Sequence, residues 1–441
     1  MNRLYSVESN LTITGSMADH RIRLSASEMT AFLAQIALKV STLTGSDSGL
    51  GSVLSSLAKT APADKKWVQE CAVDLYKTKG HSVIVIGEHL PAVAHAIGLY
   101  LNQILFAPIR LLEIAKSEQS IDTLADSLEN NAVQSLIVLG GNPAFDAPAD
   151  LDWSALQKKA ESSWHLSYSF NETSEISDYH IAQSHYLEQW SDGRTAEGHL
   201  VPVQPLIEPL FDSFDELTLL SSLVHDSPKD PYALVRENFT RLGGTDFNQF
   251  LKLGLLDSVA YSKRELAESD LGVNLAALKS MLAKGTGSIV KLSSESLELR
   301  FVPSFHAGDG RFANNGWMME CPDPITKLTW DNALLISPRL AKELEAKQGI
   351  SIFAPDSAMN RGGAFFKSTK GELQKNSAVF KDGKETAVVA KLSIDGKSLE
   401  VPLHVVPGLA NYTVVLPYGM GRRTVGRVGE SVGFNAYGLR T

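Results

Sequence analysis

The sequence predicts an α/β fold in which parallel, Rossmann-like sheet layers are followed by a small β-barrel. Two runs rich in β-branched residues and leucine, residues 82–86 and residues 136–139, alternate with stretches of helical periodicity. This alternation is typical of parallel strands joined by right-handed crossovers. After Trp330 the pattern changes to short strands separated by Gly and Pro, which favours a barrel.

Length and charge limit the kind of protein. The chain has 441 residues, enough for about three domains. Its formal net charge of −9 gives no general affinity for nucleic acid or anionic lipid. No stretch reaches the roughly 18 consecutive apolar residues of a membrane span. We therefore expect a soluble chain that binds no nucleic acid and does not insert into a membrane.

The cysteines limit the redox chemistry. Cys71 and Cys321 are the only two in the sequence, whereas an iron–sulfur cluster usually needs about four thiolates. Their separation does not fit a structural zinc site either. A disulfide between them has no support in the sequence, so we predict two unpaired and mostly buried cysteines.

The first predicted domain is the end of an α/β domain over residues 1–45. Its opening residues alternate like a strand. Ser25 and Glu28 have the spacing of a capping box, and they precede apolar residues at helical spacing. Gly45 is expected to end this helix.

The second predicted domain is Rossmann-like and covers residues 46–325. It opens on a linker rich in Ser and Gly and includes a helical excursion over about residues 210–285. Helices are predicted over 92–106 and 121–130, and strands over 82–86, 136–139, 164–169, 289–292 and 297–302.

The third predicted domain is the β-barrel over residues 326–441. Its apolar segments are short and are bounded by Gly and Pro. One helix is predicted over 338–347, and strands over 333–336, 351–353, 387–392, 399–401, 404–406 and 413–416.

The strand over residues 136–139 delivers a Gly-Gly-Asn-Pro loop to the carboxyl edge of its sheet, which is where open α/β folds hold ligands. Gly140 and Gly141 permit close backbone approach, and Asn142 can pair with a base or a phosphate. The alternative interpretation is a tight strand exit.

A polar segment follows the strand over residues 164–169. Asn171, Glu172 and Thr173 form an Asn-Glu-Thr triplet. Taken alone, the triplet is equally a turn with a helix cap.

Three potential metal ligands come next in the chain. His180, His185 and Glu188 are of ligating types, but their spacing does not place both histidines on one helical face. No third His or Cys follows at ligand spacing. We predict no metal site and assign these side chains to packing and hydrogen bonding.

Two glycine-rich stretches could bind nucleotides or phosphate. Residues 308–313 fit Gly-x-Gly-x-x-Ala, but Asn314, Asn315 and Gly316 interrupt the helix that dinucleotide binding needs. Residues 419–427 combine glycines with three arginines, which can hold an anion. Alternatively they form a barrel turn with exposed charges or a docking surface for a neighbouring domain. We favour docking.

The order of these segments resembles the molybdopterin oxidoreductase superfamily. Its members carry a Gly-x-Asn-Pro loop after a strand, an Asn-Glu-Thr segment, a Tyr-Leu-Glu-x-Trp patch and a Gln-Pro exit. The corresponding positions here are Gly140 to Pro143, Asn171 to Thr173, Tyr186 to Trp190 and Gln204 to Pro209. Residues 316–333 and 432–440 further resemble the large iron–sulfur subunit of bacterial alternative complex III.

The resemblance implies a double-psi barrel and a site for a guanine-nucleotide-bearing pterin. The residues it assigns to that site are Gly140, Asn142, Asn171, Glu172, Thr173 and Asn435. Residues 178–183 depart from the Ala-Asp-x-x-Leu-Pro pattern of the family. This departure weakens the case for an intact pterin site.

The resemblance also implies a place for the chain in a larger assembly. We expect a fragment of a subunit in a quinol-oxidising respiratory complex, on the periplasmic face of the bacterial inner membrane. Its partners are then the iron–sulfur domain of the parent chain and other subunits. The parent is an oxidoreductase subunit, whereas this part is expected to be a scaffold with no catalytic residue, pterin, molybdenum or cluster ligand.

Two alternatives stay open. The chain could be the cofactor-holding half of a true bis-molybdopterin guanine dinucleotide oxidoreductase, with an open polar cleft around Asn142, Asn171 and Asn435. It could also be a nucleotide-dependent α/β enzyme, although the sequence has no Gly-x-Ser-x-Gly elbow and no P-loop lysine.

Overall fold

The computed structural model describes residues 2–46, 49–59, 64–109, 111, 119–195, 198–225, 227–256, 273–284, 291–352, 379–381 and 384–441. The helices are α1 Ile13–Ser16, α2 Ala26–Thr44, α3 Gly51–Ala58, α4 Lys65–Lys77, α5 Ala92–Ile104, α6 Ile121–Glu129, α7 Pro143–Asp146, α8 Trp153–Gln157, α9 Glu172–Ile176, α10 Glu216–Val224, α11 Pro231–Arg241, α12 Phe247–Leu253, α13 Leu275–Lys284, α14 Gly316–Glu320 and α15 Pro338–Gln348. The strands are β1 Tyr5–Glu8, β2 His20–Arg23, β3 Ser135–Leu139, β4 Ser162–Ser167, β5 Tyr179–Ala182, β6 Ser191–Arg194, β7 Leu200–Val203, β8 Glu298–Pro303, β9 Leu334–Ile336, β10 Val379–Lys381, β11 Lys384–Thr386, β12 Val389–Ile394, β13 Lys397–Val405 and β14 Thr413–Tyr418.

The chain forms two compact units, and each is built from separate stretches of sequence. The first unit contains Met1–Leu111, Ala267–His306 and Glu320–Tyr418, and the second contains Leu112–Leu266, Ala307–Met319 and Gly419–Thr441. The predicted boundaries near residues 45 and 325 are not tested by this division, and they stay a prediction.

The core of the first unit is built around α2. This helix packs against α3, α4 and α5, and its buried face includes Phe32 and Val40. Gly45 ends it in the left-handed conformation, as predicted. The predicted capping box at its start is wrong, because the Ser25 side chain makes no cap bond. Instead the Glu298 carboxylate accepts hydrogen bonds from the N–H groups of Ala26 and Ser27, at 2.8 and 2.9 Å.

A five-stranded mixed sheet occupies the rest of the first unit. Its strand order is β12-β13-β9-β14-β8. β13 runs parallel to β9 and β14 runs parallel to β8, whereas β12–β13 and β9–β14 are antiparallel. The strand predicted over 351–353 falls partly outside the described residues, as does the one over 289–292. Closure of these strands into a double-psi barrel stays a prediction.

Residues 82–86 differ from the predicted strand. They form no β-ladder with the described residues. The apolar run was recognised correctly, but it has no neighbouring strand to pair with in the described part of the chain. A separate two-stranded parallel sheet, β1–β2, lies in the same unit.

The second unit contains the parallel sheet β3-β4-β5. The parallel pairing of β3 and β4 confirms the α/β layer predicted for residues 136–139 and 164–169. α6 and α8 contribute to the core beside this sheet through Leu128 and Trp153. The predicted helical excursion begins here with α10, α11 and α12, and the last two pack around Phe239 and Phe250.

The two cysteines differ in their environment. Cys71 is buried and Cys321 is exposed, and both are free. Burial, followed by the nearby Asp74 charge, raises the pKa of the Cys71 thiol to about 12. The prediction of a buried thiol is therefore right for Cys71 and wrong for Cys321. No helix in the described ranges is both long and apolar enough to cross a membrane.

Candidate functional site

The predicted loop lies where two parallel strands end. β3 is followed by Gly140, whose φ of 77° is in the left-handed region that favours glycine. The Gly140 N–H donates to the Leu166 carbonyl of β4 at 2.8 Å. The His165 Nε2 atom lies 2.9 Å from the Gly141 carbonyl. The loop is thus fastened to β4 at the carboxyl edge of the sheet, where ligands bind in open α/β folds.

Asn142 connects this loop to α9. Its Nδ2 group donates to the Glu172 carboxylate at 2.8 Å. Its Oδ1 atom accepts from the Thr173 N–H at 3.1 Å and from the Thr173 hydroxyl at 2.8 Å. Both amide atoms of Asn142 are therefore engaged by side chains and backbone of the same unit.

Asn171 caps the N-terminus of α9. Its Oδ1 atom accepts from the N–H groups of Thr173 and Ser174, at 3.0 and 3.1 Å. The Ser174 hydroxyl in turn accepts from the Asn171 N–H at 3.0 Å, which completes a capping box. The helix-cap interpretation of the triplet thus describes what Asn171 does in the protein.

Glu172 forms a buried ion pair with Arg422. Each side chain is 5% exposed, and the Arg422 Nη2 atom lies 2.7 Å from Glu172 Oε2. Arg422 Nε also donates to both carboxylate oxygens, at 3.1 and 3.0 Å. The backbone N–H groups of Arg423 and Thr424 add two further bonds to Oε1, at 2.9 and 3.1 Å.

These contacts decide the charge of Glu172. Burial alone would raise the pKa of its carboxyl group, but the hydrogen bonds from Arg422 and Asn142 and the Arg422 charge lower it to about 2. Glu172 is therefore ionised at neutral pH. Because the adjacent Arg422 guanidinium neutralises this carboxylate, Glu172 is a structural charge inside the second unit.

The glycine-rich stretch at residues 419–427 has a packing role. A Cβ atom at Gly419 would overlap the Gly308 carbonyl, and one at Gly421 would overlap the backbone of Phe434 and Asn435. Both glycines have positive φ, 104° and 77°. The alternative of a turn with exposed charges does not hold for Arg422, because the structure buries this side chain and pairs it with Glu172, and the favoured docking role of the stretch stays a prediction.

Asn435 is another cap. Its Oδ1 atom accepts from the Tyr437 N–H at 2.9 Å at the start of a short 3-10 helix, Ala436–Leu439. The Tyr437 hydroxyl donates to the Asp309 carbonyl at 3.0 Å, and its ring packs edge-on against Phe145. The Asn435 side chain thus serves as the N-cap of this 3-10 helix.

The predicted non-metal roles of the histidines can be compared with their contacts. His165 and His180 both lie next to the Ser174 hydroxyl, at 2.9 and 3.2 Å from their Nδ1 atoms. The Glu188 carboxylate accepts from the backbone N–H groups of His185 and Leu210, at 2.8 and 3.1 Å. Within the described residues no group of three His, Cys, Asp or Glu side chains is arranged to hold a metal ion.

Asp146 is a titratable group that sequence reasoning missed. It lies in α7, directly after the Asn142 loop. Burial, and then the charge of Asp309, raises the pKa of its carboxyl group to about 6. No sequence motif marks this residue, because its neighbour Asp309 is distant in the chain and near only in the fold.

The comparisons with known proteins give a fold. No protein-family model matches the chain, and no curated protein matches it in sequence. Among solved structures, acetylene hydratase from Pelobacter acetylenicus, a member of the molybdopterin oxidoreductase superfamily, is similar with a TM-score of 0.65 at 12% identity. The likeness covers 99% of this chain and 70% of that chain. The protein thus has a mixed α/β fold that resembles the molybdopterin oxidoreductases.

The site as a whole is rich in polar groups that serve the fold. Asn142 contacts both Glu172 and Thr173, Gly140 lies two residues before Asn142, and Asn171 and Asn435 cap helices in the same unit. Their assignment to a pterin site stays a prediction. A nucleotide held by the amide of Asn142 would have to replace bonds that Asn142 already makes to Glu172 and Thr173.

Proposed function

We propose that this chain is a non-catalytic scaffold within the molybdopterin oxidoreductase-like iron–sulfur subunit of a quinol-oxidising respiratory membrane complex. In this proposal it positions the iron–sulfur domain of the parent chain and contacts other subunits on the periplasmic face of the bacterial inner membrane. Electron transfer belongs to the cluster domain, and the present chain supplies architecture.

One observation carries the proposal. The Glu172 carboxylate, which belongs to the segment that resembles a pterin site, is ion-paired and hydrogen-bonded to Arg422, Arg423, Thr424 and Asn142. A site kept for an exchangeable cofactor benefits from polar groups directed at that cofactor. Here the polar groups of the segment are directed at one another, which supports a structural role.

Cofactor analysis of the purified chain tests the proposal. Molybdenum and iron are measured by plasma mass spectrometry, pterin by fluorescence after oxidation, and guanine nucleotide by chromatography of the heat-released fraction. We expect each at well below one equivalent per chain. One equivalent of molybdenum together with pterin would refute the scaffold role. Co-purification of the chain with cluster-bearing subunits tests the partner assignment separately.

The fold likeness to acetylene hydratase favours a second candidate, the cofactor-holding half of a bis-molybdopterin guanine dinucleotide enzyme. If this second function holds, GDP should raise the melting temperature of the chain. An Asn142→Ala variant should abolish that shift if the Asn142 loop holds the nucleotide. NAD and ATP serve as controls, and a shift with either of them would instead support a nucleotide-dependent α/β enzyme.

A further inference from the structure

The first unit contains a cavity of about 1120 Å³ beside residues 82–86. β1 and residues 82–86 both line it, and so do apolar side chains of α2 and α4, among them Phe32 and Cys71. We call the space between β1 and residues 82–86 the strand slot. The described residues that line the cavity all belong to the first unit.

The two walls of the strand slot run in the same direction. At their carboxyl ends Arg300 donates to the Ser9 hydroxyl at 3.2 Å, and its other terminal nitrogen lies 3.4 Å from His89 Nδ1. At their amino ends both walls meet the end of α4. There Asp74 accepts from the Tyr5 hydroxyl at 2.6 Å. The hydroxyls of Thr78 and Ser82 are 2.5 Å apart at the same place.

One backbone edge of β1 forms no ladder with the described residues. On the side of β2, the carbonyls of Leu4 and Glu8 accept hydrogen bonds from the N–H groups of His20 and Leu24, at 3.2 and 3.1 Å. In a parallel ladder, alternate residues direct their N–H and C=O groups to opposite edges. The backbone groups of Tyr5 therefore point away from β2, and the same holds for Val7.

The other wall, residues 82–86, has one backbone edge that is already hydrogen-bonded by a side chain. The Asn102 amide, 5% exposed, accepts from the Ile84 N–H at 2.8 Å and donates to the Ile84 carbonyl at 2.8 Å. A single side chain thus imitates a partner strand at the Ile84 edge. By the same alternation, the backbone groups of Val83 and Val85 face the opposite edge. Among the described residues they make no backbone hydrogen bond.

The side chains give an independent sign that a neighbour is required. Residues 83–86 are a run of β-branched residues, which is typical of strands buried on both faces. Yet Val83 is 47% exposed and Val85 is 85% exposed. Trp67, which lines the slot, has a buried indole N–H with no acceptor among the described residues.

We propose that the strand slot binds one extended segment of another polypeptide, as a parallel strand inserted between β1 and residues 82–86. Its backbone pairs with Tyr5 and Val7 on one side and with Val83 and Val85 on the other. Its alternate side chains are apolar, because they meet Phe32, Met29 and Cys71. A peptide backbone is the ligand that carries donors and acceptors at the strand repeat on both of its edges.

Insertion of this strand also explains the small β1–β2 sheet. Two-stranded sheets are marginal in water, and parallel sheets are normally covered on both faces. The inserted segment would join β2, β1 and residues 82–86 into a four-stranded parallel sheet over α2 and α4. The inference does not rest on the proposed function, because it concerns backbone pairing in the first unit only.

Residue-resolved hydrogen exchange on the full chain tests the proposal. In the free protein the Val83 and Val85 amides should exchange fast, whereas the Ile84 amide is protected by Asn102. The probe is an acetylated, amidated hexapeptide of alternating Thr and Val. In excess it should slow exchange at Tyr5, Val7, Val83 and Val85 by about tenfold or more. The same peptide with N-methyl groups on alternate residues should give no protection, because it cannot pair on both edges.

A matched pair of variants tests the wall itself. Val85→Pro removes the N–H that faces the slot, and Val85→Thr keeps it. We expect the first to lose peptide protection and the second to retain it, with the same far-ultraviolet circular dichroism. Absence of protection by the peptide would overturn the proposal, and so would equal protection by its N-methylated form. Protection that rises with protein concentration alone, with a dimer mass in light scattering, would assign the slot to a second copy and overturn it too.

Discussion

The Glu172–Arg422 ion pair and the strand slot differ in how completely their polar groups are hydrogen-bonded. In the second unit, Glu172 receives hydrogen bonds from Arg422, Asn142 and two backbone N–H groups. In the first unit, Val83 and Val85 have backbone groups without partners in the described part of the chain. The hydrogen bonding around Glu172 is therefore complete, whereas one backbone edge of residues 82–86 is open to a partner strand.

Removal of Arg422 is expected to have the largest effect. Arg422→Met leaves the Glu172 carboxylate buried without its counter-charge, so we expect a loss of about 3–5 kcal/mol in the free energy of unfolding. Urea unfolding followed by circular dichroism measures it.

Two controls accompany this variant. Arg423 is exposed and contributes only its backbone N–H to Glu172, so Arg423→Met should change stability by less than about 0.5 kcal/mol. The double variant Glu172→Gln with Arg422→Met should recover much of the loss. Equal effects of the two arginine variants would show that the ion pair is not what completes this site.

Loss of the Asn102 amide should have the next largest effect. Asn102→Ala leaves the N–H and C=O groups of Ile84 without their partner, at a cost of about 2–3 kcal/mol. Exchange at the Ile84 amide should accelerate in the same variant. Asn130→Ala, which removes a surface hydrogen bond to the Asp126 carbonyl, is the matched control and should be nearly neutral. Unchanged exchange at Ile84 would contradict the role given to Asn102.

Asp146, in the helix that follows the Asn142 loop, should make the stability of the protein depend on pH. Its pKa is raised from 3.8 to about 6, so its ionisation opposes folding. The cost is absent below pH 3.8, grows between the two values and is full above pH 6. Asp146→Asn should therefore gain about 1 kcal/mol at pH 8, allowing for partial exposure, and nothing at pH 3.5. Melting curves at both pH values measure this, and a gain at the lower pH would contradict it.

Glu172 has the opposite sign. Its pKa is lowered from 4.5 to about 2, so its stabilising contribution is full above pH 4.5 and is lost as the pH falls towards 2. The stability of the unsubstituted protein should therefore fall more steeply with decreasing pH in that window. Arg422→Met should remove this dependence, because the pKa of Glu172 is no longer held down by the guanidinium.

The smallest effect is expected at the open face of the slot. Val85 is 85% exposed, so Val85→Thr should change the free energy of unfolding by less than about 0.5 kcal/mol. A loss above 1 kcal/mol would show that the side chain is already packed in solution, and that the slot is closed.

Local patterns in the sequence predicted several helices, but the Ser- and Gly-rich linker predicted after Gly45 was wrong, because α3 lies there. α2 was predicted from its apolar periodicity and its end signals, and α5 and α15 were predicted over residues 92–106 and 338–347. The parallel pairing of β3 and β4 was also predicted. What failed was long-range: the cap of α2 comes from Glu298, not from Ser25.

In the candidate site too, local features were predicted from the sequence and long-range contacts were not. The triplet at Asn171 was singled out from the sequence, and its helix cap was among the interpretations. The partner of Glu172 was not, because Arg422 lies 250 positions away and only the fold brings them together. The apolar run at residues 82–86 was likewise recognised as strand-like, but local sequence cannot show whether a neighbouring strand is present.

Asn102 determines more than the stability of one segment. Because its amide closes one edge at Ile84, sheet growth at residues 82–86 can proceed from a single side. Open strand edges otherwise act as templates for indefinite stacking of chains. The same amide fixes the phase of the segment, since a slip by one residue would turn the wrong backbone groups outward. One buried side chain thereby makes the assembly both self-limiting and in register.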